Sequence, residues 1–204
     1  MKPNPSIERT SSGRLRLSNV RLHVPRSAIV VRPATEADAP TMLEIYRPYV
    51  VGSIISFEQE VPSIKEYTAR VGKYLASWGG VVAEAEGQLL GYAYGSPHRE
   101  KAAYKWSVET TVYVAQHAQR NGIGRKLYSA LIPILADAGY CNAYAGVALP
   151  NPASVGLHTA MGFKPIGTFP RVGYKFGEWR DVAWFHLVLR EAPGASVQGA
   201  ESGA

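Results

Sequence analysis

Val112-Tyr-Val114 is followed, after four residues, by Gln119-Arg-Asn-Gly-Ile-Gly124 and then by a helical pattern from about Gly122 to Ala138 that ends at Gly139. A β-branched strand feeding a glycine loop and a helix points unpaired backbone N–H groups outward, where they can meet phosphate oxygens. Two glycines also let the backbone bend closely round a ligand. Rival nucleotide loops are excluded by what is missing. A Walker loop needs Gly-Lys-Ser/Thr, which is absent. A dinucleotide loop needs a third glycine where Leu127 stands, and an acid about 20 residues on, whereas no Asp or Glu occurs between Asp137 and Glu178. What remains is either an anion-binding loop of another kind or a helix start that merely tolerates glycine.

Working outward, Ala28-Ile-Val-Val-Arg-Pro33 reads as a short strand ended by proline. Thr35 stands as an N-cap with Asp38 three residues on. Met42, Leu43, Ile45, Tyr46, Tyr49 and Val50 then fall at helical spacing. Pro62-Ser63 opens a second helix with Ile64, Tyr67, Val71, Tyr74 and Leu75 on one face. After Gly79-Gly80 the pattern turns to strands: Val81 to Glu86 and Gln88 to Gly95 form a hairpin about Glu86-Gly87, and Trp106 to Val114 forms a third strand. Downstream, Asn142 to Leu149 is a strand and Pro152 to Met161 a short helix stopped by Gly162. Two last strands, near Lys164 to Phe176 and Val182 to Leu189, flank the Gly177-Glu178 turn. The order β-α-α-β-β-β-α-β-α-β-β predicts an α/β fold with a mixed sheet and helices on both faces.

Composition fits one domain. Of 204 residues, 46% are hydrophobic and 19% charged, enough to bury a core. Cys141 is the single cysteine, which excludes an intramolecular disulfide framework and a cysteine-based zinc cluster. His23, His98, His117 and His186 show no ligand spacing, so no metal is expected. No run of about 18 apolar residues is present, so no membrane span is expected. The net charge of +6 is unevenly placed: residues 1–27 hold Lys2, Arg9, Arg14, Arg16, Arg21 and Arg26 against Glu8 alone, and the rest carries 16 basic and 15 acidic side chains. Residues 1–27 therefore read as a basic, disordered arm, 28–191 as the domain, and 192–204 as a Gly/Ala/Ser-rich disordered tail. The nearly neutral domain, without Arg/Lys-aromatic interleaving, is not read as a nucleic-acid platform.

Gln-x-x-Gly-x-Gly directly after Val-Tyr-Val resembles the acetyl-CoA loop of the GCN5-related N-acetyltransferases (GNAT). Asn151, Ala153-Ser154, His158 and Gly162-Phe163 agree, with His158 where the superfamily usually has Tyr. Ala103 to Val114, Leu149-Pro-Asn-Pro-Ala-Ser-Val155, Leu157-His158 and Val172 to Val182 resemble the phosphinothricin and methionine sulfoximine acetyltransferase branch. The resemblance runs from about Ile29 to Leu189. It implies a mixed, mostly antiparallel sheet in which the strand bearing Glu109 to Val114 splays from the strand near Ala145 to Ala148, exposing backbone to a pantetheine arm. It also implies acetyl-CoA as cosubstrate, held by Thr111, Val112, Tyr113, Val114, Gln119, Arg120, Asn121, Gly122, Ile123, Gly124 and Asn151, and it implies a cytoplasmic homodimer with Val172 to Val182 at an interface or site edge.

The chemistry needs a neutral amine, yet an amino-acid ammonium is mostly protonated at pH 7, so a base is required. Glu109, mid-strand among apolar and hydroxyl residues and on the same face as Thr111 and Tyr113, is the candidate; the bland alternative is a carboxylate in a structural ion pair. In the branch His158 is proposed to act in acid/base chemistry, and in the superfamily the residue at that position protonates the leaving thiolate; the alternative is a packed histidine. A backbone N–H near Tyr113 would serve a developing oxyanion. Arg99, Lys101 and Tyr104 can neutralise and orient an acidic side-chain group, with Phe57 and Tyr113 walling the acceptor pocket. The function expected is acetyl-CoA-dependent acetylation of the α-amine of a small amino acid or analogue. The alternatives are a protein or peptide amine acetyltransferase, and a non-catalytic acyl-CoA-binding module.

Overall fold

A computed structural model describes residues 29–191. The expected arm at 1–27 and tail at 192–204 lie outside the described residues. In chain order the elements are β1 (Val30–Pro33), α1 (Ala39–Gly52), α2 (Ile64–Trp78), β2 (Gly80–Ala85), β3 (Gln88–Pro97) and β4 (Ser107–Val114). Then come α3 (Ile123–Asp137), β5 (Asn142–Ala148), α4 (Pro152–Ala160), β6 (Lys164–Lys175) and β7 (Glu178–Val188). This is the order read from the sequence. Among the described residues no helix is long and apolar enough to cross a membrane.

The local reasons are visible in the caps. Ser63 caps α2, its backbone N–H donating to Glu66 at 2.9 Å while its hydroxyl accepts from the Glu66 N–H. Asp38 receives the Thr35 N–H at 2.8 Å and the Arg32 guanidinium at 2.8 Å. Arg32 holds the Asp38 carboxyl below its ordinary range, against the opposing effect of burial. The chain from Glu36 to Asp38 is a tight 3-10 turn, and α1 starts only at Ala39, with Pro40 in its first turn. The last strand starts at Glu178, four residues before the expected Val182, because the hairpin pairs to its tip, with Lys175 opposite Glu178.

Seven strands form one sheet in the order β1-β2-β3-β4-β5-β7-β6. All neighbours are antiparallel except β4 and β5. Helices cover both faces. On one, Tyr92 and Tyr113 pack with Tyr46 of α1 and Tyr67 of α2 in a ring cluster, with centroids 4.9 Å apart for Tyr46–Tyr113 and a 2.8 Å hydrogen bond between the Tyr67 and Tyr92 hydroxyls. On the other, Leu127, Tyr128, Leu131 and Leu135 of α3 are fully buried beneath the sheet. Burial of these apolar faces is the main stabilising term.

The β4–β5 pair positions the site. Their parallel pairing covers only Ser107–Asn142, Val108–Ala143 and Glu109–Tyr144. Beyond Glu109, β4 stays paired to β3 up to Val114, while Ala145 to Ala148 stay paired to β7. The two strands therefore part after Glu109, as the resemblance implies.

Candidate active site

The opening between β4 and β5 leaves backbone polar groups without strand partners, and the direction of each group follows from register. Cys141 N–H donates to Trp106 O, and Ala115 N–H donates to Leu90 O on β3. Peptide groups alternate along a strand, so those of Val112 and Val114 face the opening, whereas the Tyr113 N–H faces β3. The expected oxyanion donor is thus a neighbour of Tyr113, not Tyr113 itself. The Val114 carbonyl already accepts from the Tyr49 hydroxyl, which leaves the Val112 peptide and the Val114 N–H without a partner among the described residues. A cavity of about 90 Å³ lies here, walled by Thr110 to Tyr113, Tyr128, Gly146 to Ala148, Asn151 and His158.

At the end of β4 the chain turns through Gln116–Ala118 into the glycine loop. Arg120 (φ 65°) and Gly122 (φ 77°) both adopt left-handed backbone, and α3 begins at Ile123. Such a turn directs successive N–H groups outward above a helix N-terminus whose first amides have no partner within the helix. Two loop side chains brace the loop. Gln119 Nε2 donates to the Tyr49 hydroxyl at 2.9 Å, and Asn121 Nδ2 donates to Ala118 O at 3.2 Å. Gly124 has ordinary backbone, and its Cβ position lies 2.9 Å from Leu157 Cδ2 on α4, so glycine there permits close helix packing. Asn151 caps α4, its Oδ1 accepting from Ser154 N–H at 3.1 Å.

His158 lies on α4 at 3% exposure, facing the same opening. Its Nδ1 sits 2.8 Å from the Ser154 carbonyl, which only accepts, so Nδ1 carries the hydrogen. Nε2 then accepts from the Tyr128 hydroxyl at 3.0 Å. Burial pulls the His158 pKa down, against the Ser154 hydrogen bond, and keeps the ring neutral at pH 7. Burial pushes the Tyr128 phenol up, so it stays protonated. Tyr128 was missed by the sequence reading, which singled out no residue of α3 beyond its glycine start.

Glu109 is the last residue of β4 paired to β5. Its side chain is 28% exposed, with His98 Nδ1 at 3.0 Å and Arg99 Nη1 at 3.3 Å. The Tyr104 ring lies edge-on to His98 at 5.8 Å, and Lys101 is exposed on the same loop. Of the expected acceptor-site residues, Arg99 thus reaches Glu109 and Tyr104 reaches His98. Beside them a half-open cleft of about 210 Å³ is walled by His98, Arg99, Tyr144, Phe169 and Trp184. Phe57 stands on the α1–α2 loop with its ring against Gly173 of β6. The role of His98 was also missed, because the sequence reading ends the strand at Gly95, whereas β3 runs to Pro97, directly before His98.

The unpaired strand edges, the left-handed glycine loop and the helix N-terminus together suit a ligand with a phosphate end and an amide-bearing arm. A family model described as an acetyltransferase (GNAT) domain matches residues 31–184. The chain belongs to the GNAT acetyltransferase family. It is 43% identical over 168 residues to a phosphinothricin N-acetyltransferase of Streptomyces coelicolor, covering 79% of this chain and 96% of that protein. It is 32% identical to an L-methionine sulfoximine/L-methionine sulfone acetyltransferase of Salmonella typhimurium, covering 80% and 96%. A phosphinothricin acetyltransferase of Sinorhizobium meliloti, solved with acetyl-CoA, superposes with a TM-score of 0.78 at 32% identity, covering 85% of this chain and 94% of that one. As a GNAT acetyltransferase, the chain has in its β4–β5 opening a set of groups that fits acetyl-CoA.

Proposed function

We propose that this acetyltransferase moves the acetyl group of acetyl-CoA onto the α-amine of a small amino acid or analogue of the phosphinothricin or methionine sulfoximine type. One observation carries the reading: the strands part directly after Glu109, and the cavity opened there is walled by Thr110 to Tyr113, Tyr128 and His158. Acetyl-CoA, held by the Val112 and Val114 peptides on the Thr111 to Val114 edge and by the loop Gln119 to Gly124, supplies the reactive thioester. Glu109 takes the proton of the acceptor ammonium, directly or through water. Val112 and Val114 offer fixed dipoles to a developing oxyanion. Tyr128, backed by neutral His158, holds a proton at the far side of the opening, where a thiolate must leave. Arg99, with Lys101 and Tyr104, meets the acidic side-chain group, and Phe57 walls the pocket. The size of the cleft beside Glu109 supports a small acceptor over a peptide.

The same reading makes the enzyme a cytoplasmic homodimer. Its support is β6, an edge strand whose Ile166, Phe169, Val172 and Tyr174 are all about half exposed. A long apolar edge is covered in stable proteins, and a second copy of the same strand is the occupant proposed. Light scattering at micromolar concentration should return twice the chain mass.

The activity is tested by following CoA release with amino acids and their sulfoximine and phosphinate analogues as acceptors. Glu109→Gln should lower kcat by roughly 10²–10⁴ with acetyl-CoA affinity kept. The defect should shrink at high pH, where the amine deprotonates in solution. Full activity of Glu109→Gln at neutral pH would remove Glu109 from the mechanism.

A further inference from the structure

Both hydrogen bonds to the Glu109 side chain end on the same atom: His98 Nδ1 and Arg99 Nη1 each reach Oε1, at 3.0 and 3.3 Å. A carboxylate only accepts, so the nitrogen facing it carries a hydrogen. With Oε1 filled twice, Oε2 has no hydrogen-bond partner among the described residues and is left to take a proton. The two donors differ in stiffness. The Arg99 side chain is 49% exposed on a loop, and a long exposed side chain keeps its rotamer freedom. The His98 side chain is 15% exposed and packed on three sides. Its face stacks on Tyr144 with centroids 4.5 Å apart, and Tyr104 and Trp184 stand edge-on at 5.8 and 6.2 Å.

We propose that His98 is a positioning residue for the acetyl transfer, fixing the Glu109 carboxylate through Oε1 so that Oε2 is presented to the acceptor amine. The inference rests on Glu109 being the group that takes the amine's proton. The ring plane is set by Tyr144 from β5, Trp184 from β7 and Tyr104 from the loop, and the charged groups facing it are Glu109 and Arg99. The aromatic box therefore belongs to the proton-transfer geometry: it holds an imidazole, which holds the base. A displacement of about 1 Å at such a group can lower turnover about a hundredfold.

Two variants separate this role from packing. His98→Phe keeps a ring for Tyr144 and Trp184 but loses the donor. His98→Asn loses the stack but keeps an N–H near the position of Nδ1. His98→Phe should lose roughly ten- to a hundredfold in kcat, with the melting temperature and acetyl-CoA affinity near those of the parent. His98→Asn should keep most of kcat while melting earlier. In the Glu109→Gln background, His98→Phe should have little further effect on kcat. Equal kcat in His98→Phe and the parent, with Glu109→Gln inactive, overturns the role of His98 alone. A fully active Glu109→Gln overturns the reading beneath it. A raised acceptor KM with unchanged kcat in His98→Phe would make His98 an acceptor contact and also overturn the proposal.

Discussion

The Tyr128 hydroxyl stands 3.0 Å from His158 Nε2, and the two side chains reach the strand opening from different helices, α3 and α4. The hydroxyl also lies 3.2 Å from Thr110 Oγ1, so one proton has two acceptors. Because Ser154 fixes the hydrogen on Nδ1, the ring offers a lone pair to the phenol. Neutral His158 has no hydrogen on Nε2 to give, so a proton passed by Tyr128 to the leaving sulfur is replaced from water. Tyr128→Phe should lower kcat by roughly 10²-fold, within the range for loss of a general acid, and leave acetyl-CoA affinity nearly unchanged. Stopped-flow turnover beside a binding titration checks this, and an unchanged kcat would remove the hydroxyl from the chemistry.

His158 also ties stability to pH. Its folded-state pKa lies below the ordinary value of 6.5, chiefly through burial. The unfolded chain thus binds more protons between the two values, and stability rises with pH across that window. The contribution is complete above about pH 6.5 and is lost as pH falls toward the folded pKa. His158→Gln has no proton to gain there. Urea midpoints measured from about pH 8 down to about pH 5 should fall less steeply for His158→Gln than for the parent. Parallel curves would mean that His158 does not carry the dependence.

What the sequence made legible follows local chemistry. The Ser63 cap, the Glu86-Gly87 hairpin and the glycine loop depend on residues within a few positions of each other, and each forms where the pattern puts it. Glu109 stood out as a carboxylate inside a strand at a position the resemblance marks, and His158 was found through the resemblance, since a lone histidine on a short helix is more often a packed residue. Tyr128 and His98 were hidden because their meaning is tertiary. Tyr128 is one of 12 tyrosines, and nothing local shows that this one meets His158 across 30 residues. His98 acquires its role only when β3 pairs with β4 and sets Ser96 opposite Glu109. Lys175 is the same case, since its partners lie more than 100 residues upstream.

The two loop glycines should fail for different reasons. Gly122 is left-handed at φ 77°, where a side chain is strained by roughly 1–2 kcal/mol. Gly122→Ala should therefore disturb the turn and weaken acetyl-CoA binding about tenfold. At Gly124 a side chain would meet protein first, because a Cβ there points at Leu157. Gly124→Val should lower the melting temperature, and adding Leu157→Ala should restore much of it. If acetyl-CoA affinity stays lost in the restored double variant, crowding of the ligand is the cause after all.

Lys175 of β6 is 1% exposed, yet its ammonium donates to Val50 O at 2.7 Å and to Ser56 O at 2.6 Å. Burial draws its pKa down, and the nearby Glu58 charge opposes the shift. These bonds tie the end of α1 and the α1–α2 loop to the β6–β7 hairpin, and Gln59 Nε2 adds a third tie to Tyr174 O at 3.2 Å. Phe57 sits between these ties, so the wall proposed for the acceptor pocket depends on them. Lys175→Met keeps the apolar stem but leaves two buried carbonyls without their donor, at roughly 1–3 kcal/mol each. The urea midpoint should fall accordingly. Among the molecules that remain folded, the acceptor KM should rise severalfold while acetyl-CoA affinity falls less, because Lys175 holds the Phe57 loop directly and reaches the glycine loop only through Tyr49, the neighbour of Val50. An equal loss of affinity for both substrates would mean that Lys175 supports the whole domain and not the acceptor wall.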